Sequence, residues 1–147
     1  HTRETAAKLK ERPTGNARAI DYTFAPICRM RNTCIAPGEA SFEDMLRGVK
    51  LGVYAKGSFG GETNGEMFTF SAGEAYMIRD GKVEELVRDV NLTGNVFTTL
   101  ANIDMVGKDF TPHESAGGCG KGGQVPLPTS EWAPHVRIQN VVIGGQK

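Results

Sequence analysis

The stretch "EAYMIRDGKVEELVRDV", residues 74–90, constrains the fold more than any other. Asp80-Gly81 is the two-residue signature of a type I′ hairpin turn, because both central residues of that turn need a positive φ. On one side, residues 74–79 are strand-like, with Tyr76 and Ile78 two apart. On the other, residues 82–90 form the return strand, with Val83 facing them across the turn. The period of two sets one buried face and fixes the register. The middle of the chain therefore reads as an antiparallel meander. Residues 53–56 supply a short strand before it, "GSFGGETNGEMF" reads as a glycine-rich loop, and residues 66–70 add another strand.

Helices are few and short. Residues 2–9 contain good helix formers and end before Pro13 and Gly15. Ser41 with Asp44 three residues on resembles a capping box, predicting a helix from Phe42 to about Lys50 that Gly52 stops. Val96, Phe97, Leu100, Ile103 and Val106 recur at helical spacing, with Gly107 where a C-cap belongs. Residues 27–35 are strand-like, and "HVRIQNVVIGG" closes the chain as a final strand. The expected class is α+β, mainly antiparallel sheet with a few short helices, as one domain over residues 1–147. His1 opens the chain in place of methionine, which reads as a piece of something longer.

Charge argues against one class of partner. The chain carries 17 basic and 17 acidic residues, a formal net charge of zero, so it lacks the footprint of a nucleic-acid binder. Its apolar runs are too short for a transmembrane helix. Three cysteines, Cys28, Cys34 and Cys119, do not make a disulfide framework. Cys28 and Cys34 read as buried or inert thiols in a reducing compartment, and a cytoplasmic location is expected. In that setting the sequon at Asn91 carries no weight.

The chemistry concentrates in "ESAGGCGKGGQVPLPTSEWAPH", residues 114–135. A phosphate-binding loop is excluded there: Lys121 is followed by Gly122 in place of Ser or Thr, and Pro126, Pro128 and Pro134 prevent a long helix. His113-Glu114 resembles the start of a zinc-peptidase helix motif, but the residues one turn later are glycines. His113 and His135 are therefore weak ligand candidates. Cys119 is different. Glycines beside it let backbone N–H groups approach the sulfur and let the chain bend around an ion. A flexible loop that happens to carry a thiol explains the same residues equally well. A single cysteine does not hold zinc, so further ligands would come from elsewhere.

The whole chain resembles the C-terminal domain of the TldD/PmbA family of metallopeptidases, also called modulators of DNA gyrase. The resemblance runs through "RETAAKL", "PTGNARA", "RMRNTCIAPGEAS", "CGKGGQVPLPT" and "VVIGG", and the glycine-rich stretch 52–82 is similar to the family's as well. It implies a zinc-dependent peptidase acting on peptides or unfolded chains, as a longer TldD-like protein whose N-terminal half precedes this one. In TldD-like members an H-E-x-x-x-H helix supplies two ligands and the catalytic glutamate, and a C-G-K-x-G-Q segment supplies a cysteine. Residues 119–124 match that segment position for position, so the resemblance implies that Cys119 is the third metal ligand and that the subfamily is TldD-like. No H-E-x-x-x-H occurs in these 147 residues, so no catalytic residue is expected in them and the chain alone is expected to be inactive. The alternative is a non-catalytic interaction domain that pairs with a PmbA-like partner or with itself. Neither reading calls for a membrane or for direct nucleic-acid contact.

Overall fold

The computed structural model describes residues 3–114 and 118–144. It opens with helix α1 (Arg3–Leu9) and the short strands β1 (Ala17–Arg18), β2 (Ile27–Cys28) and β3 (Thr33–Cys34). Helix α2 (Phe42–Leu46) leads to the long strands β4 (Leu51–Asn64) and β5 (Met67–Arg79), then β6 (Lys82–Val87) and β7 (Asn91–Asn95). Helix α3 (Val96–Ala101) precedes β8 (Ile103–Val106), β9 (Thr111–Glu114), β10 (Cys119–Lys121) and β11 (Gln124–Leu127). The last strands are β12 (Ser130–Ala133), β13 (Val136–Ile138) and β14 (Val142–Gly144). Short helices amid predominantly antiparallel strands make the chain α+β and mainly sheet, as expected.

The chain divides into two compact units. One comprises residues 1–36 and 111–133, the other residues 37–110 and 134–147. In the first, β12 lies between β3 and β9, parallel to the former and antiparallel to the latter. Two small ribbons, β1–β2 and β10–β11, complete it. Its buried apolar residues include Ala6 and Leu127, and it also buries Arg29, Gln124 and Thr129.

The second unit is built on a five-stranded antiparallel sheet in the order β14-β7-β5-β4, with β6 also on β5. Asp80 and Gly81 both have positive φ, 46° and 76°, and turn β5 into β6 with Arg79 opposite Lys82 and Ile78 opposite Val83. The hairpin expected from Asp80-Gly81 is therefore present. Its return strand ends at Val87, earlier than expected. Ala75, Ile78 and Val90 are buried, together with Met45 of α2. Ser41 caps α2: its hydroxyl accepts from the Asp44 N–H at 3.1 Å, and the Asp44 carboxylate accepts from the Ser41 N–H at 3.2 Å. The helix is shorter than expected because Gly48 takes a φ of 81° just beyond it.

Further expectations differ from the structure. The glycine-rich "GSFGGETNGEMF" belongs to β4 and β5, which pair across Asn64↔Met67 with Gly65 in the turn. Its glycines serve a bulge between Ser58 and Gly60 and a close approach at Gly61, where a Cβ would strike the Thr69 carbonyl. The helix expected up to Val106 ends at Ala101, and Ile103–Val106 is strand β8 against β13. Gly107 is not a C-cap: it bridges to Ala40. The closing segment is two strands, β13 on β8 and β14 on β7, with Asn140 at a φ of 56° between them.

Candidate functional site

The glycine-rich segment around Cys119 is a built hairpin. Strands β10 and β11 pair with Cys119 opposite Leu127 and Lys121 opposite Gln124. Gly122 and Gly123, at φ values of 58° and 73°, form the two-residue turn between them. Gly118 has a φ of 60°, and a Cβ there would lie 2.6 Å from the Leu127 carbonyl oxygen. Positive φ at all three, with close packing at Gly118, favours glycine at these positions.

The hairpin is stitched to the segment that carries β1 and β2. Buried Gln124 accepts from the Ile20 N–H at 2.9 Å and donates its Nε2 to the Ala25 carbonyl at 3.1 Å. Lys121 Nζ donates to the Cys28 carbonyl at 2.9 Å. The Arg29 guanidinium donates through Nη2 to the carbonyls of Cys119 and Gln124, at 2.7 Å and 3.0 Å. Arg18 donates to the Met30 and Pro128 carbonyls, at 3.0 Å and 3.2 Å. Lys121 is thus occupied by a backbone carbonyl, consistent with the exclusion of a phosphate loop.

Cys119 is a free, half-buried thiol in this frame. Cys28 and Cys34 are free as well, and both are exposed, whereas burial was one expectation for them. Among the described residues no group of three or more His, Cys, Asp or Glu side chains gathers where it can hold a metal ion. Cys119 can offer one soft sulfur donor, on a hairpin flanked by glycines, to a metal whose other ligands lie elsewhere. The donor set does not fit a closed site made by these residues alone. His113 belongs to β9, and its side chain lies outside the described residues.

The second unit holds a polar cluster that the sequence did not disclose. His135 Nδ1 donates to the Asp109 carboxylate, whose other oxygen accepts from the His135 backbone N–H at 3.2 Å. His135 Nε2 is hydrogen-bonded to the Tyr54 hydroxyl at 2.8 Å. Phe42 packs on both rings, 5.0 Å from each centroid. The bond from His135 holds the Asp109 carboxyl below its usual range. Desolvation, reinforced by the Asp109 charge, pushes the Tyr54 hydroxyl up. Both His135 nitrogens are engaged, which leaves neither for a metal. No local pattern joins residues 54, 109 and 135; only the fold brings them together.

Residues 1–145 match the family model of the PmbA/TldA metallopeptidase C-terminal domain. The chain belongs to that family. A metalloprotease of Synechocystis is 57% identical over 145 residues, which cover 99% of this chain and 31% of the relative. A zinc metalloprotease TldD homolog of Saccharolobus solfataricus is 38% identical over 141 residues, covering 95% of this chain and 31% of that protein. Among solved structures, TldE from Thermococcus kodakarensis superposes with a TM-score of 0.68 at 24% identity, over 95% of this chain and 29% of that one. A putative modulator of a DNA gyrase from Thermotoga maritima gives a TM-score of 0.62 at 25% identity, over 98% and 29% of the two chains. The PmbA/TldA domain thus spans about a third of the length of the curated relatives it matches, 31% in both cases above.

Proposed function

We propose that this domain is the C-terminal part of a zinc-dependent peptidase that hydrolyses peptides or unfolded chains, and that Cys119 is its thiolate ligand. The observation that carries the reading is the Cys119 hairpin: a free thiol on a hydrogen-bonded frame, in a C-G-K-x-G-Q segment of a chain whose relatives are named metalloproteases. Two histidines and a glutamate from an H-E-x-x-x-H helix in the preceding part of the full-length protein complete the site. When bound, zinc supplies Lewis-acid polarisation of the scissile carbonyl and activation of water. This chain's residues hold and orient the thiolate and form a wall of the substrate channel. Strand β4 ends the sheet order, so among the described strands it pairs only with β5. Its other edge offers backbone donors and acceptors to an extended peptide, an attachment indifferent to side-chain sequence. Free exposed cysteines suit a cytoplasmic protein.

The test is zinc content and peptide hydrolysis of the full-length protein and its Cys119→Ser, Cys28→Ser and Cys34→Ser variants. Serine is nearly isosteric but stays protonated at neutral pH, so Cys119→Ser loses zinc and activity together while its fold persists. The other two variants keep both. Full zinc and full rate in Cys119→Ser would remove the ligand assignment.

A second reading is an interaction domain that pairs with a PmbA-like partner or with a second copy. Exposed apolar side chains of the second unit favour it, Phe59 at 84%, Leu51 at 66% and Leu86 at 65% exposure. The two readings coexist if the peptidase works as an oligomer. Sedimentation of the full-length protein, alone and with a PmbA-like protein, checks the pairing: a monomer under both conditions counts against it.

A further inference from the structure

We infer that Arg29 is a positioning residue for the metal-binding thiol: its guanidinium fixes both strands of the Cys119 hairpin. The inference rests on the reading of Cys119 as the zinc ligand. Arg29 belongs to "RMRNTCIAPGEAS", a segment to which neither the hairpin's own sequence nor the peptidase reading gives a role.

Arg29 is only 2% exposed, and its Nε and Nη1 meet no acceptor among the described residues. A guanidinium buried with part of its donors unmatched is a costly core residue. A well-packed apolar side chain of similar volume is commonly as stable or more so. Bulk packing therefore does not account for an arginine here.

What the guanidinium supplies is a bridge. One nitrogen, Nη2, reaches Cys119 O in β10 at 2.7 Å and Gln124 O in β11 at 3.0 Å. Its two N–H groups thereby tie the two strands of the hairpin, one of them at the residue that carries the thiol. The other end of the bridge is also fixed. The Arg29 backbone N–H donates to Asn16 O at 2.8 Å, and Asn16 Nδ2 returns to Arg29 O at 3.4 Å. A β-hairpin of three- and four-residue strands is marginal by itself. A thiolate on such a hairpin reaches a metal held elsewhere only if its backbone is already in place. Groups that orient a ligand in this way typically change metal affinity by about 10–100-fold when removed.

The experiment uses the full-length protein with cobalt(II) in place of zinc, because thiolate ligation to cobalt gives a sulfur-to-metal charge-transfer absorption. Arg29→Met is expected to lower cobalt affinity at least tenfold and to weaken that band. In the metal-free protein it is expected to raise amide hydrogen exchange in residues 119–127 and to leave exchange in β5 unchanged. Arg29→Lys keeps a cation but not the planar fork, so it recovers affinity only in part. Wild-type affinity and a wild-type band in Arg29→Met would overturn the inference. If Arg29→Met does not fold, unchanged cobalt affinity in Arg29→Lys would overturn it equally. Cys119→Ser separates the two readings. If it retains the band, the ligand assignment fails; if it loses the band while both Arg29 variants keep theirs, only the positioning role fails.

Discussion

Asp109 and His135 show how a single contact sets a pH response. The hydrogen bond from His135 holds the Asp109 carboxyl below its ordinary range, so folding favours the ionised form. A lowered folded-state pKa contributes stability that is whole above the unfolded value, near about 3.9, and is lost as pH falls through the folded value. Asp109→Asn should therefore destabilise the protein by about 1 kcal/mol at neutral pH, a figure held down by solvent screening of a partly exposed pair. The gap to wild type should narrow towards pH 3. Urea midpoints of both proteins at pH 7 and pH 3 check this, and an equal gap at both would refute it. At this scale the sequence is informative only where a residue's neighbours in the chain are also its working environment. Cys119 stands out because Gly118, Gly120, Lys121 and Gln124 stand beside it. Arg29 is one of 17 basic residues and nothing adjacent marks it, since its partners Cys119 and Gln124 lie 90 and 95 positions away. His135 reads in the sequence as no more than a weak ligand candidate for the same reason: Tyr54 is 81 residues distant.

Among the elements, those governed by turn and cap chemistry were legible. Asp80-Gly81 and the Ser41–Asp44 box did what their residue types require. Gly122-Gly123 carries the same kind of hairpin signal as Asp80-Gly81, and the density of glycine around it obscured that signal. A direct consequence concerns Gly123. No atom lies within 4 Å of a Cβ built there, so Gly123→Ala pays only for a left-handed backbone, about 1 kcal/mol. At Gly118 the same substitution also meets the Leu127 carbonyl oxygen at 2.6 Å, so Gly118→Ala should cost distinctly more. Thermal melting of the two variants should preserve this order, and a flexible loop would show neither loss. Two further departures, at β8 and in the closing segment, have distant pairing partners. Val96 to Val106 carries helical periodicity, yet Phe97 and Leu100 are largely exposed and no apolar face results. Ile103–Val106 instead pairs with Val136–Ile138, and the Arg137 guanidinium grips Asp104 through two bonds of 2.9 Å and 2.8 Å while donating to the Met45 carbonyl at 3.1 Å. Arg137→Lys forfeits that paired geometry and should lower stability by about 1 kcal/mol, read from a urea midpoint. An unchanged midpoint would show that the paired bonds contribute nothing.

For the whole molecule, the proposed function turns on how many zinc donors these 147 residues can bring together. The described residues gather no three-donor group, and the chain spans 31% of each of the two metalloproteases compared above. Zinc affinity comes from several preorganised donors closing on one ion, and a single thiolate with water in the remaining positions has no such advantage. The 147-residue chain by itself should therefore bind zinc more weakly than about micromolar and should not cleave peptides. Isothermal titration with zinc at neutral pH measures the first, and a fluorogenic peptide assay the second. Circular dichroism of the same sample must show a folded sheet, since an unfolded chain would also fail to bind. Full-length protein titrated in parallel should bind at least a hundredfold more tightly, and Cys119→Ser should erase most of that difference. A tight one-to-one site with sub-micromolar affinity in the short chain would defeat the shared-site reading, because its ligands would then have to come from within these residues.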